Sequence, residues 1–362
     1  MEGEMFGKKE KISKLAREEE RFAYKLLLPS ILILIIIAIY PLGQVFVTSM
    51  TDKRFASNDE VQFVGLDNYK QLLRIQVKEL PKALDDNGNV IIDEGTGEVE
   101  FVRPFKVLDR EPNRYKESST FDFLGKKYVI GATDPDFIKS ISNTLKFSII
   151  SVFLETLLGL LVALVVNSKF KGRGLMRGIM LVPWAVITVV SARIWEWMLQ
   201  PSRVGLFNTI LTNFGGSGSI SFLSDKSLTL TSMIAIDVWK TTPYMALLIL
   251  AGLQVIPGEL YEAADIDGAT KWQQFKSITL PLLKPALGVA LIFRSLDALR
   301  VFDVFQVLLG SREYSMASYN YFQLIGNRNM GLASAIGVII FIIIFAFAIM
   351  FIRSMGVNEE NV

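Results

Sequence analysis

The chain has 362 residues, 51% of them hydrophobic, with a mean hydropathy of +0.38. This composition is too apolar for an ordinary soluble domain. Cysteine and histidine are both absent, which excludes disulfides, thiolate nucleophiles, imidazole bases and Cys/His metal sites. The net charge of +2 provides no polybasic surface, so nucleic acid is not an expected partner. The length fits a polytopic membrane domain with one modest extramembrane piece.

The N-terminal part combines a charged tail with a long apolar run. Residues 1–23 mix basic and acidic side chains and are predicted to form a helix-prone cytoplasmic tail. The apolar run that follows exceeds a signal-peptide core, and no small-x-small cleavage site comes after it. We therefore predict a retained first transmembrane helix over residues 24–50, kinked at Tyr40-Pro41 near its outer end.

A polar stretch, residues 51–140, follows the first helix. Turn signals at 85–89 and 95–97 alternate there with strand-like pieces at 90–92, 99–102 and 128–130. Aromatic and aliphatic residues recur throughout, which is not typical of low-complexity disorder. The pattern predicts a small β-rich insertion over residues 78–135.

The remainder, residues 141–352, is predicted to hold five further membrane helices, followed by a cytoplasmic tail at 353–362. The loop at 169–177 carries four basic residues and no acidic one, which places it in the cytoplasm by the positive-inside rule. Six crossings then put both termini on that side. The predicted fold is an all-α polytopic membrane protein with six transmembrane helices and a small β-rich extracytoplasmic insertion between helices 1 and 2. The five further spans are 143–166, 178–199, 228–253, 285–309 and 331–352.

A polar, helix-prone loop at 255–284 separates two apolar spans. Gly268 lies in its middle and predicts a break between two short helices, with φ > 0 or a close approach. Beyond the break, Trp272, Phe275 and Ile278 form one apolar stripe. Pro281 and Pro285 are expected to end the element, because neither can donate a backbone hydrogen bond.

This loop reads E-A-A-D-I-D-G-A and then I-T-L-P, which resembles the EAA loop of ABC-importer permeases. In that family the loop lies in the cytoplasm and docks into a groove on the ATPase subunit. The bland alternative is an ordinary amphipathic loop between membrane helices. The residues that the resemblance implies for ATPase coupling are Glu262, Ala263, Ala264, Asp267, Gly268, Ala269, Phe275, Leu280 and Pro281.

The resemblance covers roughly residues 24–77 and 136–352. Its further motifs include L-V-P-W, A-G-L and I-P, and it points to the carbohydrate-uptake group, specifically the first permease of maltose- and glycerol-phosphate-type importers. The chain departs from it at 309–313, where T-x-G-G-P is common, and in the insertion. The resemblance implies a multi-pass cell-membrane subunit that pairs with a second permease, an ATPase dimer and an extracytoplasmic sugar-binding protein, amid membrane lipid. ATP and Mg²⁺ would then be bound by the ATPase, leaving this chain without cofactor, metal or enzymatic activity.

Charged side chains recur inside the predicted spans. Arg294, Asp297, Arg300 and Asp303 follow each other at three-residue spacing in the fifth span. A charge at bilayer depth costs at least about 2.5 kcal/mol, so these groups must face protein or water. Two interpretations remain open: a hydrophilic path for a hydroxyl-rich solute, or structural ion pairs such as Asp297 with Arg300. The predicted path residues are Asp237, Lys240, Thr241, Tyr244, Asp297, Arg300, Val301 and Val304.

Two other acidic residues, Glu155 and Glu196, look isolated and are assigned no role. Three functions are compared. An ATP-driven sugar-importer permease is favoured by the loop motif. An ion-coupled secondary transporter of a polar solute would predict inverted repeats and discontinuous helices, which the sequence does not show. A membrane-anchored sensor would predict a soluble signalling domain, for which the 23-residue tail is too short.

Overall fold

The structure is a computed structural model, and helices dominate it. Part of the predicted N-terminal tail, part of both turn signals in the insertion and most of the C-terminal tail lie outside the residues that the structure describes. The described residues are 14–85, 88–92, 97–202, 204–216 and 219–354.

Among these described residues, five helical segments are long and apolar enough to cross a membrane, or six if one bent pair counts as a span. The bent pair replaces the continuous span predicted at 178–199, and its two halves meet at 86°. Val186 and Ile187 are extended at the break, which frees backbone carbonyls from helical hydrogen bonding. The segments are Glu18–Thr48, Pro135–Asn167, Lys226–Val255, Lys271–Leu308 and Met330–Arg353, and the pair is Arg173–Ala185 with Thr188–Met198.

The first half of the chain contains the first span, the strands and the second span. The first span is interrupted by one π-helical turn, Ile35–Ile39. The helices are α1 Lys14–Leu34, α2 Tyr40–Thr48, α3 Asp67–Leu73, α4 Pro104–Val107 and α5 Pro135–Asn167, and the strands are β1 Ile75–Glu79, β2 Lys116–Phe123 and β3 Lys126–Ala132.

In the second half of the chain, every regular element among the described residues is a helix. Two further π-helical turns lie at Phe275–Thr279 and Phe322–Gly326. The helices are α6 Arg173–Ile179, α7 Val182–Ala185, α8 Thr188–Met198, α9 Leu206–Asn213, α10 Lys226–Val255, α11 Glu259–Ile266, α12 Lys271–Gln274, α13 Leu280–Ala298, α14 Asp303–Leu308, α15 Met316–Tyr321 and α16 Met330–Ser354.

The prediction for the end of the helical element in the loop at 255–284 was wrong. Pro281 and Pro285 do not end the helix, which runs from Lys271 through the π turn and α13 to Ala298. The Leu280 N–H donates to the Phe275 carbonyl five residues back. Such a π bulge shifts the backbone where a proline ring would clash with the preceding turn. Pro41 follows its π turn at the same offset.

The strands form one antiparallel sheet in the order β1-β3-β2. The sheet has its own small core of Leu80, Leu108 and Val129. Its two ends come together, because the Thr133 N–H donates to the Arg74 carbonyl at 3.1 Å. Of the three predicted strand pieces, 128–130 lies in β3, whereas 90–92 and 99–102 form only isolated bridges.

The membrane core is built on α5, α10 and α13. Gly159 lets α5 approach α10 closely, since a Cβ there would lie 3.1 Å from the Ala246 nitrogen. Gly252 does the same between α10 and α13, where a Cβ would clash with the Ala286 side chain. Small residues at contacts are the usual means of close helix packing in membranes. The three helices therefore form one tightly packed unit, on which the polar side chains are mounted.

Candidate functional site

A cavity of about 810 Å³ opens at the break between α7 and α8 and is bounded by α10, α13 and α14. Lys240, on its wall, lies midway along α10, 14 residues after Lys226 and 15 before Val255. At 1.5 Å per residue this is about 21 Å from either end of the helix, near the middle of a bilayer. All eight predicted path residues line the cavity: Asp237, Lys240, Thr241, Tyr244, Asp297, Arg300, Val301 and Val304.

Arg294 is the centre of a charged cluster in the cavity wall. Its Nε and Nη2 donate to the two carboxylate oxygens of Glu155 at 2.5 and 2.9 Å. Nη2 also donates to Asp237, and Nη1 donates to Asp297 at 3.1 Å. One guanidinium thus joins side chains from α5, α10 and its own helix α13.

The cluster corrects two sequence interpretations. The suggested pair of Asp297 with Arg300 is replaced by Asp297 with Arg294, which lies three residues earlier on the same helix. Glu155, assigned no role, is fully buried against Arg294. The signal was present in the sequence, because a carboxylate in an apolar span requires a partner. Glu196 instead forms an exposed pair with Arg193.

Lys240 and Tyr244 fix the shape of the cavity. The Lys240 ammonium donates to the carbonyls of Val186 at 2.6 Å and Trp184 at 3.3 Å. It therefore satisfies the carbonyls that the break in the third span leaves free. One turn further along α10, the Tyr244 ring stacks on the Trp184 indole, with centroids 5.4 Å apart and planes 9° from parallel. The bent span is thus held to α10 by one cation and one aromatic pair.

The charges that line the cavity balance, with three carboxylates and three cations. The Asp297 side chain remains 71% exposed despite its contact with Arg294. Arg300 is exposed as well, and its Nε donates to the Leu296 carbonyl. Free donors and acceptors beside an aromatic face suit an uncharged, hydroxyl-rich solute. The six charged groups are Asp237, Lys240, Arg294, Asp297, Arg300 and Asp303.

The second predicted site is the loop after α10. Gly268 has φ +74° and follows α11, so the left-handed break predicted from the sequence is confirmed. Thr270 then starts α12 with a capping box to Gln273. Lys271 donates to Asp265 at 2.9 Å across the break, and this hydrogen bond holds the pKa of that carboxyl below its usual range.

Only four of the nine residues predicted for ATPase coupling share one surface depression. All nine predicted coupling residues are exposed or half-buried. Ile266 and Trp272 stand out beside them, 87% and 70% exposed. Apolar side chains this exposed on a polar loop are typical of a protein–protein contact. A shallow depression contains Ala264, Asp267, Gly268 and Ala269, whereas Glu262, Ala263, Phe275, Leu280 and Pro281 lie outside it.

A membrane bundle with a polar cavity at mid-depth and an exposed loop continuous with a cavity helix defines a transport protein. Residues 155–356 match the family model described as binding-protein-dependent transport system inner membrane component. The chain belongs to this family. It is a membrane permease subunit of an ABC importer and not an enzyme.

Similar proteins agree with this placement. The trehalose/maltose permease MalF of Thermococcus litoralis is 47% identical over 238 residues, which are 64% of this chain and 79% of that one. The trehalose permease SugA of Mycobacterium tuberculosis is 30% identical over 340 residues, 93% of this chain and 90% of that one. A chain of the crystal structure of a bacterial alginate ABC transporter, in complex with an alginate pentasaccharide-bound periplasmic protein, has a TM-score of 0.68. That chain is 21% identical, with 95% of this chain and 98% of that one covered, a likeness of fold.

Proposed function

We propose that this chain forms half of the translocation pathway of an ATP-driven sugar importer, beside a second permease of similar fold. The cavity at mid-span is the observation that carries the proposal. Its charges balance and its wall combines Tyr244 and Trp184 with exposed polar groups, which suits a neutral sugar better than an ion. The names of the similar permeases favour a disaccharide of the trehalose and maltose kind.

Coupling to ATP would pass through the loop at 255–284. We propose that an ATPase dimer, which binds ATP and Mg²⁺, docks on this loop and that Glu262 pairs with a basic residue there. The helix from Lys271 to Ala298 runs about 42 Å from the loop to the cavity. Since Arg294 near its far end holds Glu155 and Asp237, displacement of the loop would be transmitted to α5 and α10. The cavity would thereby alternate between the two membrane faces.

The proposed arrangement places the chain in the cell or inner membrane as a multi-pass protein. The tails at 1–23 and 353–362 and the loop at 255–284 would lie in the cytoplasm, with residues 51–140 outside. The basic loop at 169–177 supports this orientation. Within the outer part, the three-stranded sheet with its own core is proposed to contact the extracytoplasmic binding protein.

The test uses the assembled importer, with both permeases, the ATPase dimer and the binding protein, reconstituted in lipid vesicles. Trehalose or maltose should stimulate ATP hydrolysis. In vesicles whose ATPase faces the lumen, the sugar should accumulate inside only when ATP is enclosed there. Uptake that follows an imposed proton or sodium gradient without ATP would instead support the ion-coupled alternative. Trehalose and maltose uptake compared with that of a charged sugar tests the neutral cavity separately.

A further inference from the structure

The loop between α5 and α6 concentrates positive charge that the described chain does not neutralise. The sequence has no acidic residue between Glu155 and Glu196. Within the described part of the structure, none of the four basic residues of the loop takes part in an ion pair: they are Lys169, Lys171, Arg173 and Arg177.

The two arginines and the two lysines have different surroundings. Arg173 donates to the Asn167 carbonyl at 3.4 Å and Arg177 to the Val166 carbonyl at 3.3 Å, so both cap the C-terminal end of α5. Lys169 and Lys171 are exposed and have no hydrogen-bond partner among the described residues. Their ammonium groups therefore remain available for an external anion.

These lysines form part of a shaped surface. Lys169, Phe170, Lys171 and Arg173 surround a shallow, open depression in the surface. Gly172, with φ +90°, makes the turn that returns the chain along the end of α5. A shallow cationic surface beside an aromatic ring can receive a phosphate group through its ammonium and guanidinium donors.

Apolar side chains continue directly from this depression. Leu175 and Ile179 lie four residues apart on α6 and are 70% and 60% exposed, so they share one side of the helix. Val182 follows with 57% exposure. A short helix that carries basic groups at its start and exposed aliphatic groups along one side is suited to the boundary between headgroups and acyl chains.

We propose that residues 169–179 bind the headgroup of an anionic phospholipid, with the phosphate between Lys169 and Lys171 and an acyl chain along Leu175 and Ile179. An acidic surface of the ATPase is the rival occupant. The lipid is favoured because Lys169 lies two residues beyond the end of a membrane-spanning helix, within reach of the headgroups. The exposed aliphatic residues, which an acidic protein surface would leave unmatched, favour it too. This site is independent of which solute the cavity carries.

The experiment measures lipid retained by the assembled importer, purified from vesicles of phosphatidylcholine mixed with phosphatidylglycerol and analysed by native mass spectrometry. A basic side chain near an anionic bilayer contributes about fivefold in affinity, so Lys169→Gln with Lys171→Gln should lower the preference for phosphatidylglycerol by about 25-fold. Lys169→Arg with Lys171→Arg should retain it. Lys82→Gln with Lys106→Gln removes the same charge from exposed lysines in the outer region and should also leave it unchanged.

Further arms separate the lipid from other occupants. Leu175→Ser with Ile179→Ser should lower phosphatidylglycerol retention, because it removes the acyl-chain contact. Soluble glycerol phosphate should not displace the bound lipid; displacement at equal concentration would mean a free-phosphate site and overturn the proposal. Unchanged phosphatidylglycerol preference in the double Gln variant would overturn it too, as would loss of the ATPase from that variant with its lipid unaltered.

Discussion

Arg294 on α13 donates hydrogen bonds to both carboxylate oxygens of Glu155, a residue 139 positions earlier on α5. Both side chains are buried, with Arg294 2% exposed and Glu155 fully enclosed. Two buried charges with this geometry are tolerated only because each satisfies the other. The pair therefore fixes the relative position of the two helices at the depth of the cavity, and Asp237 extends the connection to α10.

The first prediction concerns the asymmetry of this cluster. Arg294→Gln would leave Glu155 and Asp237 buried without their cation, which should cost about 3–5 kcal/mol. Glu155→Gln would keep one of the two acceptor oxygens but turn an amide NH2 towards an Arg294 N–H. Because Arg294 would still have two carboxylates, Asp237 and Asp297, this variant should cost less than Arg294→Gln. The yield and unfolding temperature of the detergent-solubilised protein measure both. Equal losses for the two variants would contradict a cluster centred on Arg294.

The second prediction concerns the break at Gly268 and the proposed coupling through the loop at 255–284. Gly268→Val would force a β-branched residue into φ +74°, with a strain of about 1–3 kcal/mol. We expect the variant to reach the membrane but to lose ATPase binding or sugar-dependent ATP hydrolysis. Gly258→Val is the matched control, because Gly258 has φ −64° and a Cβ at either glycine meets open space. Normal uptake by the Gly268 variant would remove the loop from the coupling path.

Most of the apolar helices, the left-handed glycine and the residues that line the cavity could be predicted from the sequence, because each depends on local pattern or composition. Glu155 could not be given a partner, since Arg294 lies 139 residues away and the pairing exists only once α5 packs on α13. The bend after Ala185 was missed for a similar reason. The break looks like continuous apolar sequence, and it is stabilised by Lys240 from another helix. Strand β2, with the polar sequence KESSTFDF, lacks the apolar alternation that identifies strands.

The third prediction is a pH dependence at the start of α5. Burial raises the pKa of Asp134 above its ordinary value of 3.8, although hydrogen bonds from the Tyr319 hydroxyl and the Phe137 N–H oppose the rise. A raised pKa means that the folded state favours the protonated carboxyl. The resulting stabilisation is complete below the unfolded pKa and is lost as pH rises through the folded pKa.

Asp134→Asn removes this titration while keeping a good helix cap. The unfolding temperature of the variant minus that of the native protein should therefore increase as the pH rises from acid towards neutral. A difference that stays constant with pH would show that Asp134 ionises as freely in the folded protein as in the unfolded one.

The fourth prediction uses the closed base of the outer sheet. Because Thr133 and Arg74 are hydrogen-bonded neighbours, a short Gly/Ser linker can join them in place of residues 75–132, which also removes the contacts of β2 and β3 with α5. Membrane insertion and ATPase binding should survive, because the sheet has its own core. Affinity for the extracytoplasmic binding protein, measured on the reconstituted importer, should fall. Unchanged affinity would give the sheet another role.

The last prediction tests whether the cavity residues Tyr244 and Asp297 contribute to sugar uptake. Tyr244→Ala removes an aromatic face of the cavity together with its stack on Trp184, but it leaves no charge unpaired. The protein should therefore fold while sugar uptake falls by roughly tenfold, the equivalent of one aromatic contact of about 1.4 kcal/mol. Tyr244→Phe keeps the ring that stacks on Trp184 and should transport normally. Asp297→Asn leaves Arg294 with two buried carboxylates, so it should also fold, and its effect on uptake then reports contact with the solute. If Tyr244→Ala transports normally and Asp297→Asn fails to accumulate, the charged cluster is structural and the sugar passes elsewhere.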